Sequence, residues 1–294
     1  MQMLSNKPKP MTAKDIRFKK NFRQTVFALL YYSILSGLAV VMVIPFVWMF
    51  STSLKDAGAV FTFPPQWIPN PVVFRNYVDA WNSVPFGRFY LNSIIVAVSV
   101  TAGQLFTASL AAYAFARLQF PGRDKLFLAY LATMMIPGQV TMIPVFILLR
   151  TLGWIDTYQG LILPHIFTTY GTFMLRQFFL TIPKELEEAA TIDGCGPFRI
   201  YWQIILPLCK PALATLGTFI FLGSWNDFMW PLIVTNSMEM KTLTVGLASF
   251  QGLYNTEWTL LMAASMIVLA PVLIVYIFNQ RFFVQGIAMT GLKG

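Results

Sequence analysis

The chain has 294 residues, 56% hydrophobic and 11% charged, with 21 Lys and Arg against 12 Asp and Glu. Soluble domains carry roughly a quarter charged residues, so this composition, with a mean hydropathy of +0.62, excludes an ordinary water-soluble domain and places the chain in a bilayer. The net charge of +9 does not point to nucleic acid as a partner, because no basic helix is interleaved with stacking aromatics.

Residues 1–25 form a polar, Lys- and Arg-rich arm, too polar to hold the apolar stretch of a cleavable signal peptide. Six apolar stretches follow, each near the roughly 20 residues that a membrane helix needs: 26–50, 89–116, 126–149, 158–179, 212–235 and 260–279. The fold class they imply is an all-α membrane protein with a six-helix domain over 26–280. Between the first two stretches, 51–88 is a long loop with five prolines, in which Phe74, Tyr77, Val78 and Trp81 at helical spacing predict a short interfacial helix. In the second stretch, Gly103, Thr107 and Ala111, beside Ala108, Ala112 and Ala116, predict a face on which another helix packs closely. Prolines 137, 144, 164, 231 and 271 predict kinks in the last four stretches, where freed carbonyls need a partner.

Basic residues cluster on the cytoplasmic side of membrane proteins. An N-terminus placed inside leaves 16 of the 21 Lys and Arg on that side. Both termini are then cytoplasmic, as is the segment 181–207, whereas 51–88 and 236–258 face outward.

That cytoplasmic segment holds most of the stretch LEEAATIDGCGPFRIYWQIILPLCKP, residues 186–211. Glu185, Glu187, Glu188 and Asp193, four of the chain's 12 acids, fall within nine positions. Pro183 suits a first helical turn and the glutamates suit a helix N-terminus, while Gly194, Gly196 and Pro197 stop the helix. The pattern predicts a helix of about 11 residues, roughly 16 Å long. Phe198, Tyr201, Trp202, Ile205 and Leu206 then predict a second short helix that anchors the first, leaving a charged knob at the apex of the loop.

No phosphate-binding loop of the type GxxxxGK[ST] occurs, nor HExxH, GxSxG or a Cys/His cluster, so no metal site and no catalytic residue is expected. Cys195 and Cys209 read as packing residues. Asp227, in GSWNDFMWPL, is either a functional ionisable group or one that fixes helix geometry. His165 reads as a packing group or a pathway-lining one. Asn92, Gln139, His165, Trp225 and Asn226 are the candidates for lining a path for a hydroxyl-rich solute, since amides beside aromatics match a sugar's rim and face.

EEAATIDG, followed by the ILP of Ile205, Leu206 and Pro207, resembles the EAA loop of membrane subunits of ATP-binding-cassette importers. RQFFLTIPKELEEAATIDG, ALATLGTFIFLGSWNDFMWPLIVT and QRFFVQGIAMTGLKG resemble the second permease of carbohydrate importers of the maltose type, a likeness that covers nearly all of residues 20–294. The resemblance implies a six-span type I importer subunit in the cytoplasmic membrane of a bacterium or archaeon. It implies a homologous first permease, two ATPase subunits that hold ATP and Mg²⁺, and an extracytoplasmic solute-binding protein that delivers a carbohydrate. It assigns Glu188, Ala189, Ala190, Asp193 and Gly194 to ATPase docking through the coupling helix, and, within the cytoplasmic tail 281–294, the stretch from Gly286 to Gly294, with Gly291, Lys293 and Gly294, to a further ATPase contact. Cys195 and Pro197 depart from the small or polar residues expected in that loop. The competing reading is an ion-coupled secondary transporter, which would need internal carboxylates or repeated broken helices. A membrane enzyme has no constellation to support it.

Overall fold

The computed structural model describes residues 13–252 and 256–291, with side chains over 24–252 and 256–280. Among them every regular element is helical. α1 (Ala13–Ser53) runs through Pro45 without interruption. Its span Gln24–Ser53 turns its most apolar stretch wholly outward, as suits a helix whose neighbour is lipid or another subunit.

The loop after α1 is tied back to it. Ser51 Oγ donates to the Trp67 carbonyl at 2.6 Å, and Asn76 Nδ2 donates to the carbonyls of Ser53 and Lys55 at 2.9 and 2.8 Å. Asn76 lies on α2 (Arg75–Ser83), the short helix that the spacing predicts. Its inward residues differ from the expected apolar set: Asn76 and Ala80 are buried, whereas Phe74, Val78 and Trp81 are exposed. The small and hydrogen-bonding residues seat the helix, and the large apolar ones face out.

α3 (Phe86–Arg117) is the post of the fold. Its small residues permit the close approach that their spacing predicts. A methyl group at Gly103 would come within 2.8 Å of Ile166 Cγ2, and one at Gly171 within 3.4 Å of Ala108 Cβ. The largest contacts of α3 are with the helices α7 and α11, described next.

The third, fourth and fifth apolar stretches are interrupted helices rather than kinked ones. α4 (Arg123–Ala132) ends in a short 3-10 turn, and α5 (Gly138–Thr151) leaves at 95° to it. The cause is Pro137, which drives Ile136 into extended backbone (φ −86°, ψ 114°). α6 (Tyr158–Ile162) and the 3-10 turn Leu163–His165, with Pro164 inside it, precede α7 (Thr169–Leu180), whose N-cap Thr168 accepts from Gly171 N at 3.1 Å. α8 (Glu185–Ile192) follows. α9 (Pro197–Ile200), a π-helical turn Tyr201–Ile205 and α10 (Leu206–Leu208) form one short rod, which bends by 79° at Cys209 into α11 (Lys210–Trp225).

α12 (Met229–Val234) starts after a second break, where Asp227 Oδ1 accepts from the Trp230 N–H of its first turn. Pro231 is harmless in its first turn, where a missing N–H costs nothing. α13 (Leu243–Leu247) and α14 (Trp258–Gly291) complete the chain. Pro144 in α5 and Pro271 in α14 interrupt neither helix. Among the described residues, three helices are therefore long and apolar enough to span a membrane unbroken (Gln24–Ser53, Phe86–Arg117, Trp258–Gln280), and two bent pairs could each make one span more.

Side chains of α3 pair with backbone groups that three of the irregular segments leave free. Near the Phe86 end Asn92 Nδ2 donates to Glu239 O and Lys241 O at 2.7 and 2.9 Å, and Ser93 Oγ accepts from Leu243 N at 2.8 Å. Midway, Gln104 Nε2 and Thr107 Oγ1 each donate at 2.6 Å, to His165 O and Ile166 O. At the other end Arg117 Nη2 donates to Phe179 O and, at 2.6 Å, to Ile182 O. Buried peptide groups seldom go unpaired, and here one continuous helix supplies partners for three irregular segments.

Candidate functional site

Two places combine helix breaks with polar side chains. The first is the acidic knob. α8 is eight residues long, about 12 Å at ~1.5 Å per residue, and shorter than the expected 11 because it begins at Glu185 rather than Pro183 and stops at Ile192, one residue before Asp193. It ends in a Schellman closure: Gly194 N donates to Thr191 O at 3.0 Å and Cys195 N to Ala190 O at 2.9 Å. This places Gly194 at φ +80°, the left-handed region that glycine enters without penalty.

The knob is bolted to the post. Arg117, its side chain 3% exposed, lies 2.9 Å from Glu187 Oε1, in charge contact without the alignment of a hydrogen bond. Arg117 therefore joins the C-terminal end of α7 to α8. Ala190, on the same face as Glu187, is buried at 7% exposure among Tyr113, Phe179, Ile200 and Tyr201. Glu188, Ala189, Asp193 and Gly194 are exposed. The two alanines are thus not equivalent. Ala189 presents a surface, and Ala190 seats the helix on its own bundle, where any larger side chain would lift it away. Burial pushes the Glu187 carboxyl up from the ordinary glutamate value, and the charges of Arg117 and Lys184 pull it back only in part.

The rod after α8 supports this seat. Tyr201 is 1% exposed and its hydroxyl shares a 2.8 Å hydrogen bond with Ser109 of α3. Ile205 and Cys209 are fully buried beside it. Phe198 and Trp202, expected to anchor the rod, are exposed.

The second place is a cavity of about 260 Å³, where the breaks before α7 and α12 meet the middle of α3. Gln104, His165, Ser224, Asp227 and Trp230 give it polar and aromatic character, and Val96, Val100 and Leu161 line its apolar wall. The His165 ring meets Trp230 edge-on at 5.4 Å, and Trp230 Nε1 donates to Gly160 O at 3.1 Å. Asp227 Oδ1 accepts from Trp230 N at 3.4 Å, the geometry-fixing role weighed for it, yet its side chain also borders the cavity.

Of the five pathway candidates only His165 lines this cavity. Asn92 is fully buried, and besides its two donated bonds its Oδ1 accepts from Tyr158 OH at 2.7 Å, so its polar atoms are committed to the fold. Trp225 is 1% exposed and donates to Val268 O at 3.2 Å. Asn226 Nδ2 returns to Leu222 O of its own helix at 2.9 Å, and Gln139 lies exposed at the start of α5. Gln104 and Ser224 line the cavity without having been singled out in the sequence, where one amide and one hydroxyl in long apolar runs carry no mark. Of the tail residues, Gly291 is the last of α14, and Lys293 and Gly294 lie outside the described residues. Among the described residues no three His, Cys, Asp or Glu side chains gather as a metal site.

Residues 11–288 match the family model described as the binding-protein-dependent transport system inner membrane component. The chain is 37% identical over 251 residues to the sn-glycerol-3-phosphate transport system permease protein UgpE of Yersinia pestis bv. Antiqua (strain Antiqua), covering 83% of this chain and 89% of that protein. It is 38% identical over 228 residues to the arabinooligosaccharides transport system permease protein AraQ of Bacillus subtilis (strain 168), covering 77% and 81%. Among solved structures it is similar to a chain of a bacterial ABC transporter involved in the import of the acidic polysaccharide alginate, with a TM-score of 0.80 and 25% identity over 94% of this chain and 100% of that one.

Proposed function

The chain belongs to the family of binding-protein-dependent transport system inner membrane components, and on that premise we propose how this permease subunit of a sugar ABC importer works. It forms half of a translocation pathway with a homologous first permease, above two ATPase subunits that hold ATP and Mg²⁺ and below a solute-binding protein. It crosses a bacterial or archaeal cytoplasmic membrane six times with both termini inside, the broken segments α4–α5, α6–α7 and α11–α12 each making one crossing.

α8 is the coupling helix. Its exposed residues Glu188, Ala189, Asp193 and Gly194 meet the ATPase, while Ala190 holds it to the bundle; the tail through Gly291, Lys293 and Gly294 adds a second contact. The single observation that carries this reading is the Arg117 bolt, because a knob that must transmit displacement needs a stiff attachment. When ATP closes the ATPase dimer, α8 moves, and through Arg117 it moves α3 and α7 as one body. The pathway then opens toward the binding protein at 51–88 and 236–258 and takes in the sugar without covalent chemistry.

The test is a thiol at the exposed alanine. With Cys195→Ser and Cys209→Ala in place, Ala189→Cys should cross-link to the copurified ATPase, and Ala189→Trp should abolish ATP-driven sugar uptake while the complex still inserts and folds. Uptake at the parent rate by Ala189→Trp, with no cross-link from Ala189→Cys, would sink the docking assignment.

A further inference from the structure

The cavity at the middle of α3 is placed and furnished as a site through which solute passes. Val96, Val100 and Gln104 fall near the midpoint of a 32-residue helix, which sets the cavity near the bilayer midplane if α3 spans. Its remaining walls come from α6, the end of α11 and the start of α12, which flank the two places where backbone leaves α-helical form, beside His165 and beside Asp227. Irregular backbone at membrane depth is tolerated where it lines a cavity or is buried in protein. Gln104 spends its amide N–H on His165 O, which leaves its carbonyl oxygen as an acceptor. Its volume, about 260 Å³, lies a little below the roughly 300–1,000 Å³ of small-molecule sites, which suits one sugar ring of a longer chain.

The charge on the lining decides what that ring can carry. Asp227 is the one carboxylate there, His165 is the one group able to take a positive charge, and neither Lys nor Arg lines it. Phosphate and carboxylate recognition ordinarily employs a guanidinium, an ammonium or a cluster of N–H groups. Resting on the importer reading above, we infer that this cavity passes uncharged hydroxyl-rich solutes and rejects phosphorylated or uronic ones, with Asp227 as the residue that sets this choice. The carboxylate and the Gln104 amide engage hydroxyls, and the Trp230 and His165 rings meet the C–H face of a sugar. A solute anion about 5 Å from Asp227, at an effective dielectric constant near 20, is disfavoured by on the order of a hundredfold. The relatives divide over this property: one carries sn-glycerol-3-phosphate in its name and the other arabinooligosaccharides.

The experiment reads the cavity's charge and occupancy without knowledge of the natural solute. In the assembled importer in membrane vesicles, Ser224→Cys is made in the Cys195→Ser, Cys209→Ala background. It is treated with ethylammonium and ethylsulfonate methanethiosulfonates of matched size. The cationic reagent should react roughly tenfold faster or more, relative to free thiol, and Asp227→Asn, which retains a capping side chain, should remove the preference. A mixture of neutral arabino-, xylo- and malto-oligosaccharides should slow labelling at least threefold, and sn-glycerol-3-phosphate should slow it only in the Asp227→Asn protein. A charge ratio near one, equal protection by sn-glycerol-3-phosphate in the parent, or no protection by the neutral mixture each overturns the inference. ATP hydrolysis stimulated by sugar is read on the same vesicles; its loss in the parent would instead count against the importer reading.

Discussion

α3 meets broken helices at two depths and answers them differently. At its Arg117 end the freed carbonyls of Phe179 and Ile182 and the carboxylate of Glu187 converge on one buried guanidinium. At its middle, the carbonyls of His165 and Ile166 are taken by a neutral amide and a hydroxyl, beside a cavity. A charged bolt with several bonds is stiff, and it leaves no space for anything else. Neutral partners satisfy the backbone while leaving acceptors and volume uncommitted. The first arrangement suits transmission of a push, and the second suits passage of a solute.

Breaking the bolt gives the largest expected effect. Arg117→Met removes two donated bonds and leaves the partly buried Glu187 carboxylate uncompensated, at a cost below the about 3–5 kcal/mol of fully buried pairs. Sugar uptake should fall to background, and ATP hydrolysis by the complex should no longer respond to solute-loaded binding protein. Adding Glu187→Gln should restore part of the lost thermal stability, because no lone buried charge then remains. A double variant no more stable than Arg117→Met alone would show that the charge pair is not what holds α8.

Asn92 sharpens the comparison from the other side, since its amide contacts backbone and Tyr158 rather than solute. Asn92→Leu leaves Glu239 O, Lys241 O and the Tyr158 hydroxyl without their partner, and should cost about 2–3 kcal/mol by the usual penalty for unpaired buried polar groups. Thermal unfolding should register that loss, while the charge preference of labelling at Ser224→Cys stays as in the parent. A changed preference would return Asn92 to the pathway. Gly194→Ala is milder: with φ +80° and no atom within 4 Å of the added methyl, only backbone strain opposes it, about 1–2 kcal/mol. Hydrogen exchange at the α8 C-terminus should rise modestly, and a proline there should raise it far more, because the Gly194 N–H bond to Thr191 is also lost.

Local patterns carried the readings that held. Apolar runs located α1, α3 and α14, and acids followed by glycine located α8, because helix length, first-turn charge and a left-handed stop are properties of contiguous residues. What stayed hidden depends on distance or helical phase. Arg117 and Glu187 are 70 residues apart, and each alone reads as an ordinary solvated charge. The inward face of α8 is marked by Glu187 beside Ala190, so an apolar count assigns no phase and cannot separate Ala189 from Ala190. Asn92 and Gln104 look alike in sequence, since an amide in an apolar helix carries the same mark whether it meets a carbonyl or a solute. Prolines gave the places of strain but not the outcome: Pro137 separates two helices at 95°, whereas Pro144 and Pro271 leave theirs continuous.

The smallest expected effect concerns the sign of the pH response at the bolt. An ion pair suggests that acid should loosen α8 by discharging Glu187. Burial argues the reverse. The Glu187 carboxyl is raised above an ordinary glutamate's 4.5, with desolvation outweighing Arg117 and Lys184, so the seated helix binds the proton more tightly than the released one does. By linkage, seating is then strongest below the ordinary value and weakens as pH rises through the raised one. Hydrogen exchange of the amides from Ala189 to Asp193 should therefore slow slightly as pH falls toward 4.5, after correction for intrinsic rates. Glu187→Gln should flatten that trend, since it holds the neutral form at every pH. Faster exchange on acidification in the parent would mean that the attraction of Arg117 outweighs desolvation, and that the bolt is held by charge rather than by the carbonyls of Phe179 and Ile182.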